Sequence, residues 1–222
     1  MVTDDPDTPG DGHWEINLAA IGASTPGRFD LALPDADINY GLGEYVQLNL
    51  DVALQSAHEP ASGWSTALGV QRLGVKWRFI DREQAGISVS TYPQLSFSVS
   101  DAAVRRGLQP PGRQFYLPVQ ASGEVGEFTL DAEVGYNFAQ QEPDEWAVGF
   151  IVAHACGPQA ECHFEIRESL VPHDSQTLIN FGYTRRLSGS LVLLSALGRQ
   201  FGVASPERQN LLLYLGLQLQ RH

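Results

Sequence analysis

Residues 68–79 read LGVQRLGVKWRF, and from Arg72 onward polar and apolar side chains alternate without a break. In an extended strand, Leu73, Val75, Trp77 and Phe79 fall on one face, and Arg72, Gly74, Lys76 and Arg78 on the other. If this strand crosses a bilayer, the cations decide which face is which. A cation at the lipid midplane costs about 2–4 kcal/mol, and three on one strand could not be borne there. The basic row is therefore expected to face a lumen, and the apolar row lipid. Glu15, Asp37, Asp51, Asp131 and Glu133, on the polar faces of other predicted strands, are available inside to neutralise it.

The same period of two recurs along the chain. In YVQLNLDVALQ (45–55), Val46, Leu48, Leu50, Val52 and Leu54 oppose Gln47, Asn49, Asp51 and Gln55. GISVSTYPQLSFSV (86–99) and FTLDAEVGYNF (128–138) repeat the pattern, and Gly, Pro, Asp and Ser turns separate such segments. Twelve segments follow, opening near Trp14, Leu33, Tyr45, Ala67, Gly86, Phe115, Phe128, Trp146, Cys162, Thr177, Ser190 and Leu211. An even number lets an up-and-down barrel close with both termini on one side. The phase slips near Pro34, where a bulge is expected, and SLVLLSAL is apolar on both faces. Odd-numbered connections are expected to be mostly long (SAHEPASGWST, SDAAVRRGLQPPGR, FGVASPER) and even-numbered ones short (LGE, DREQ, GEVGE, RLSG). That sorting is the habit of membrane barrels, with short periplasmic turns and longer outer loops. The fold class expected is thus all-β, a closed antiparallel up-and-down transmembrane β-barrel of about twelve strands.

Composition agrees and sets limits. The 222 residues carry 26 acids against 14 bases, a net charge of −12, and Lys76 is the only lysine. Such a chain is no nucleic-acid binder. At 43% hydrophobic and 18% charged it is too apolar for disorder, and its longest apolar run falls short of the ~18 residues of a membrane helix. Domain organisation reads as an acidic periplasmic segment, residues 1–12 (MVTDDPDTPGDG), followed by one barrel domain, 13–222. The opening has no basic and apolar run of a signal peptide, which leaves two alternatives: a leader already removed, the expectation for an outer-membrane barrel, or a cytosolic protein.

Candidate chemistry is sparse. Cys156 and Cys162, with His154 and His163, lie in HACGPQAECH. A hairpin there would put Cys156 and Cys162 on one face, with His154 opposite Phe164 and His163 on the other face, so four metal ligands could not converge. A disulfide is expected ahead of free thiols or metal. Asp4, Asp5, Asp7 and Asp11 lack the spacing of a calcium loop, and a solvated tail or one folded into the barrel mouth is the alternative. No G-x-S-x-G elbow accompanies the scattered histidines, so no enzyme is expected, and no cofactor. The candidate lumen set is Arg72, Lys76, Arg78, Asp51, Asp131, Glu133, Glu165 and Arg167. It reads equally as a selective constriction or as a salt-bridge filling that closes the barrel. Trp14, Tyr45, Trp77, Phe79, Phe128, Phe138 and Trp146 sit toward strand ends, as interfacial girdles would. The fifth connection, with Val104, Arg105, Arg106, Leu108, Pro110, Pro111 and Arg113, is expected to be a solvated loop; the alternatives are an inward gate or a contact with anionic lipopolysaccharide.

Three stretches, TDDPDTPGDGHWEINLA (3–19), LPDADINYGLGEYVQL (33–48) and LGVKWRF (73–79), resemble the outer-membrane proteins grouped as "MetA-pathway of phenol degradation" or transporter-like. The resemblance implies a Gram-negative outer-membrane barrel moving small, often aromatic, compounds, with no catalytic residue. The ending LLLYLGLQLQRH departs from the terminal aromatic residue that the outer-membrane assembly machinery reads in many barrels. The function expected is an outer-membrane channel or transporter for small molecules, aromatic or hydrophobic ones included, passive or gated through a charged lumen. Its partners would be membrane lipid, solute and assembly machinery. The alternatives are a soluble barrel holding a hydrophobic ligand and a structural barrel with a plugged lumen.

Overall fold

A computed structural model describes residues 1–202 and 208–221. Among the described residues the strands are β1 (Trp14–Thr25), β2 (Arg28–Gly41), β3 (Val46–Glu59), β4 (Gly63–Ile80), β5 (Ile87–Thr91), β6 (Gln94–Phe97), β7 (Arg113–Val125), β8 (Phe128–Ala139), β9 (Glu145–Gly157), β10 (Ala160–Leu170), β11 (Gln176–Arg186), β12 (Leu191–Gly202) and β13 (Leu211–Arg221). Two short helices, α1 (Arg82–Ala85) and α2 (Asp101–Arg105), sit in connections. Every pairing is antiparallel, and β1 pairs with β13, which closes the sheet.

Thirteen strands make twelve staves. β5 and β6 both lie between β4 and β7, one after the other, and the ladder is interrupted at Tyr92 and Pro93. Pro93 has no N–H to donate, so the stave breaks there. The gap is bridged by the Val75 amide donating to Pro93 O at 3.1 Å and the Tyr92 amide to Pro118 O at 3.3 Å. The chain is therefore a closed antiparallel barrel of twelve staves. The slip near Pro34 is a bulge: Leu33 and Pro34 are skipped in the ladders to both β1 and β3.

The usual distribution of side chains is inverted. Leu73, Val75, Trp77 and Phe79 are exposed on the outside, Trp77 at 54%, and so are Leu211, Leu213, Leu215, Leu217 and Leu219. The inside is polar: Gln120 and Glu165 are 0% exposed and Asn180 1%. An apolar belt of this extent belongs in lipid, since soluble proteins rarely expose contiguous apolar patches beyond a few hundred Å². The β1–β13 pairing closes the wall on itself, so most of its backbone groups are satisfied between strands, as a membrane-spanning sheet requires.

The loop lengths depart from expectation. SAHEPASGWST is mostly strand, because β3 runs to Glu59 and β4 starts at Gly63, leaving residues 60–62 as the turn. Aromatic contacts hold this extended hairpin: Trp64 packs on His58 at 5.2 Å and on Phe29 at 6.3 Å between ring centroids. The first connection is also short, Pro26 and Gly27 alone. Of FGVASPER, Phe201 and Gly202 end β12, and residues 203–207 lie outside the described residues. Sorting into long and short connections thus rests mainly on the fifth, residues 98–112.

Cys156 and Cys162 are bonded, with a Cα separation of 5.7 Å. The register differs from the expected hairpin: a bulge at Ala160 and Glu161 places His154 opposite Cys162, while Phe164 faces Val152. The bridge is therefore diagonal across the ladder.

Candidate functional site

The first nine residues run into the barrel through the end that carries both termini. Residues 8–13 fasten to the connection between β2 and β3. Thr8 donates to Glu44 O at 2.8 Å, the Gly43 amide to Asp11 Oδ1 at 2.9 Å, and the Gly12 amide to Gly41 O at 3.0 Å. Beyond this clamp the chain crosses the lumen as a plug, with Thr3 and Pro6 buried.

Charge holds the plug on two sides. On β4, Lys76 is 3% exposed, and its ammonium donates to Asp4 Oδ2 at 2.9 Å, Asp5 O at 2.6 Å and Asp7 O at 3.3 Å. Three N–H donors meet three plug oxygens, and the Tyr92 ring lies 5.0 Å below. Arg78 adds Asp7 Oδ1 at 3.2 Å and Asp81 at 3.3 Å. On β10, the Glu165 carboxylate accepts from the amides of Val2, at 3.0 and 3.1 Å, and Thr3, and from Asn180 Nδ2 at 3.0 Å. With β5 and β6 counted as one stave, β4 and β10 stand five staves apart out of twelve, nearly opposite. The plug is thus tied to both walls.

Space for it is made by small residues. A Cβ on Gly149 of β9 would lie 2.0 Å from Thr3 Oγ1, one on Gly182 of β11 2.5 Å from Met1 Sδ, and one on Gly41 1.7 Å from Gly10 O. At Gly41 and Gly149 a side chain would collide with the plug's Gly10 backbone and with Thr3, while at Gly182 only the flexible Met1 side chain would have to move.

The other lumen charges form separate groups. Arg72 meets Asp51 at 3.2 Å on the adjoining strand. Glu133 accepts from Arg167 at 2.7 Å, Tyr116 Oη at 2.7 Å and Gln120 Nε2 at 2.9 Å. Asp131, on the same face of β8, is 9% exposed. Of the acids available to neutralise the basic row, only Asp51 meets it directly, in the Arg72 pair. Lys76 and Arg78 pair with the plug and with Asp81 instead, because the plug lies between them and the far wall. Asp4, Asp5 and Asp7, expected in a solvated tail or in one folded into the barrel mouth, take the second course; strand periodicity could not pair them with Lys76 and Arg78, since they belong to no strand. Asp5 opens to lumen water yet is enclosed by the barrel. Desolvation raises its pKa from 3.8 to about 7, with Lys76 opposing and Asp4 and Asp7 adding to the rise.

Alongside the plug runs a water-accessible cavity of about 650 Å³, lined by plug residues and reaching from Glu15, Asn17 and Gln218 near the end with the termini, past Asp37 and Arg72, to Gln114 and Glu145 near the other. At its far end the fifth connection folds against the barrel mouth, not into solvent as expected. The part of β4 before Gln71 has no strand on its outer side among the described residues, because β6 pairs with Gln71–Gly74 only. Gln109 covers that edge, donating to Leu68 O at 2.7 Å and Gly69 O at 2.8 Å, and Ala103 and Leu108 pack on Ala57 and Ala67. The girdle candidates all stand outside: Trp14, Tyr45, Trp77, Phe79 and Phe128 toward the end with the termini, Phe138 and Trp146 toward the other.

Among the described residues no three His, Cys, Asp or Glu side chains are grouped to hold a metal ion. His163 Nε2 lies 3.0 Å from Thr184 Oγ1, a tie between β10 and β11.

No family model and no curated protein sequence matches the chain. Solved structures do. The COG4313 outer membrane channel from Pseudomonas putida F1 superposes with a TM-score of 0.74 at 12% identity, covering 100% of both chains. NanC porin gives 0.64 at 10% identity over 92% of this chain and 98% of that one. KdgM porin gives 0.63 at 7% identity over 93% and 99%. At such identities the likeness is one of fold: this chain has the architecture of outer-membrane channels and porins.

Proposed function

We propose that this protein is a gated outer-membrane channel for small polar solutes, shut in the present conformation by its own N-terminal segment. One observation carries the reading: residues 2–7 are tied to nearly opposite walls by Lys76 and Glu165 and so span a lumen whose remaining space is a polar cavity alongside them. A barrel filled only for rigidity has no need of a separate segment held largely by charge. Fold likeness to channels and porins supports the outer-membrane location, as does the apolar belt. It also supports the transporter-like family that the sequence resembles, and a non-enzymatic role. The end bearing the termini is then periplasmic, and residues 1–12 act as the gate of the barrel domain.

The wall favours cationic and neutral solutes. Glu15, Asp35, Asp37, Asp51, Asp131, Glu133 and Glu165 outnumber Arg72, Lys76, Arg78 and Arg167 even with the plug's carboxylates removed, and rings of acid select cations. One structural neighbour is KdgM porin in complex with disordered oligogalacturonate, a polyanion; this acidic lumen carries the same sign as such a ligand and disfavours it.

Single-channel recording in planar bilayers tests the proposal. The intact protein should show a small closed-state conductance with rare openings, and the variant lacking residues 2–8 a steady, cation-selective one. Correct insertion with no conductance in either form would leave a structural barrel in its place.

A further inference from the structure

On the outside of the barrel, at the end away from the termini, the fifth connection arches past the ends of β6 and β7 and leaves a cleft of about 540 Å³. Its floor is Leu95 and Phe97, outward side chains of β6, with Val104 of α2 and Pro111 at the sides. The floor runs directly into the apolar belt, since Leu95 stands opposite Leu73 on β4 and Phe115 on β7. The cleft therefore opens where lipid chains give way to headgroups.

Its rim is polar and carries Arg113, the first residue of β7, opposite Phe97 in the ladder. Arg113 is exposed, and its guanidinium has no hydrogen bond or ion pair among the described residues. Arg28, Arg72, Arg78, Arg82 and Arg167, by contrast, each hold a carboxylate. Arg113 is also well placed: the Gln140 amide donates to its carbonyl at 2.9 Å. Gly112, at φ +76°, lies so close that a Cβ there would be 3.2 Å from Gln140 Cβ. An unpaired guanidinium carried on an anchored backbone beside an apolar floor matches an anionic amphiphile, because guanidinium binds phosphate oxygens in a bidentate fork. The volume exceeds what a bare phosphate fills and lies in the range of small-ligand sites.

We propose that this cleft seats the phosphorylated headgroup of an outer-leaflet lipid, its phosphate on Arg113 and the start of its acyl chains along Leu95 and Phe97. The proposal rests on the outer-membrane reading above, with this end facing outward. Asp101, also in the cleft, opposes the phosphate and limits affinity.

Native mass spectrometry of the intact protein released from detergent, after incubation with diphosphoryl lipid A or its dephosphorylated form, tests it. The protein should retain one lipid A and little of the dephosphorylated form. Arg113→Gln should lower retention about tenfold, the worth of one charge-assisted contact, and Asp101→Asn should raise it. Equal retention by Arg113→Gln would overturn the proposal. So would equal retention of the dephosphorylated lipid, or full displacement by millimolar inorganic phosphate. Weaker retention by Asp101→Asn would overturn it in favour of a zwitterionic ligand. The underlying reading fails separately: a barrel that does not insert into bilayers removes it, whereas one that inserts and never conducts leaves this site untouched.

Discussion

Two segments narrow this lumen, and they are held by different forces. The N-terminal plug is tied by ions: Lys76 to Asp4, Arg78 to Asp7, and Glu165 to the amides of Val2 and Thr3. The fifth connection is held mostly by neutral contacts, with Gln109 covering a strand edge and Ala103 and Leu108 in a small apolar cluster. Ion pairs weaken with salt and with competing charges, while packing and neutral hydrogen bonds do so far less. The plug is therefore the part suited to move, and the fifth connection the part suited to stay.

The largest effect should come from removing the plug's seat without touching a charge. Gly149→Val places atoms where Thr3 lies, so the open-channel conductance, read in planar bilayers, should approach that of the 2–8 deletion. A closed Gly149→Val channel would mean the plug can dock elsewhere. Next, Lys76→Met leaves Asp4 inside the barrel without its partner. Asp4 is partly open to lumen water, so the loss is smaller than for a fully buried pair, and openings should become severalfold more frequent. If Gln109→Ala has the same effect, the contrast between the two segments collapses; its expected result is about 1–3 kcal/mol of local destabilisation, seen as faster proteolysis at residues 98–112 with gating unchanged.

Salt should separate the two more gently. Raising ionic strength from about 0.1 to 1 M shortens the screening length from about 10 to 3 Å, so open probability should rise in the intact channel, with little change in proteolysis of the fifth connection. pH should act least, because Asp5 keeps access to lumen water. Its docked pKa, about 7, lies above the ordinary 3.8, so the docked form holds a proton that the released form gives up. Docking is then favoured at low pH and weakens as pH rises from about 4 to 7. Asp5→Asn should flatten that part of the pH profile of open probability, and an unchanged profile would assign it to other groups.

Much of the barrel was legible because strand periodicity is local. Leu73, Val75, Trp77 and Phe79 alternate with Arg72, Lys76 and Arg78 within one strand, and neither the faces nor the stave count needs a distant residue. The Pro34 bulge was legible for the same reason, Pro93 less so: it breaks a stave into β5 and β6 without ending it, because both halves keep the same neighbours. Misreadings arose where partners decide. His58, Trp64 and Phe29 turn an expected loop into strand, and a bulge at Ala160 moves His154 opposite Cys162.

The lumen was half legible. That Lys76 faces inward follows from the cost of a cation in lipid, and that cost is set by one strand's alternation. Which acid meets Lys76 does not follow. Asp4 lies 72 positions away, in a segment without periodicity, and Asp51 or Glu133 would have satisfied the same charge balance. The order of residues along each strand determined a closed barrel, dry outside and charged inside. Only the folded chain decided that its first residues turn back between β4 and β10, because a plug is specified by space and charge gathered from opposite walls, and no local pattern encodes that distance.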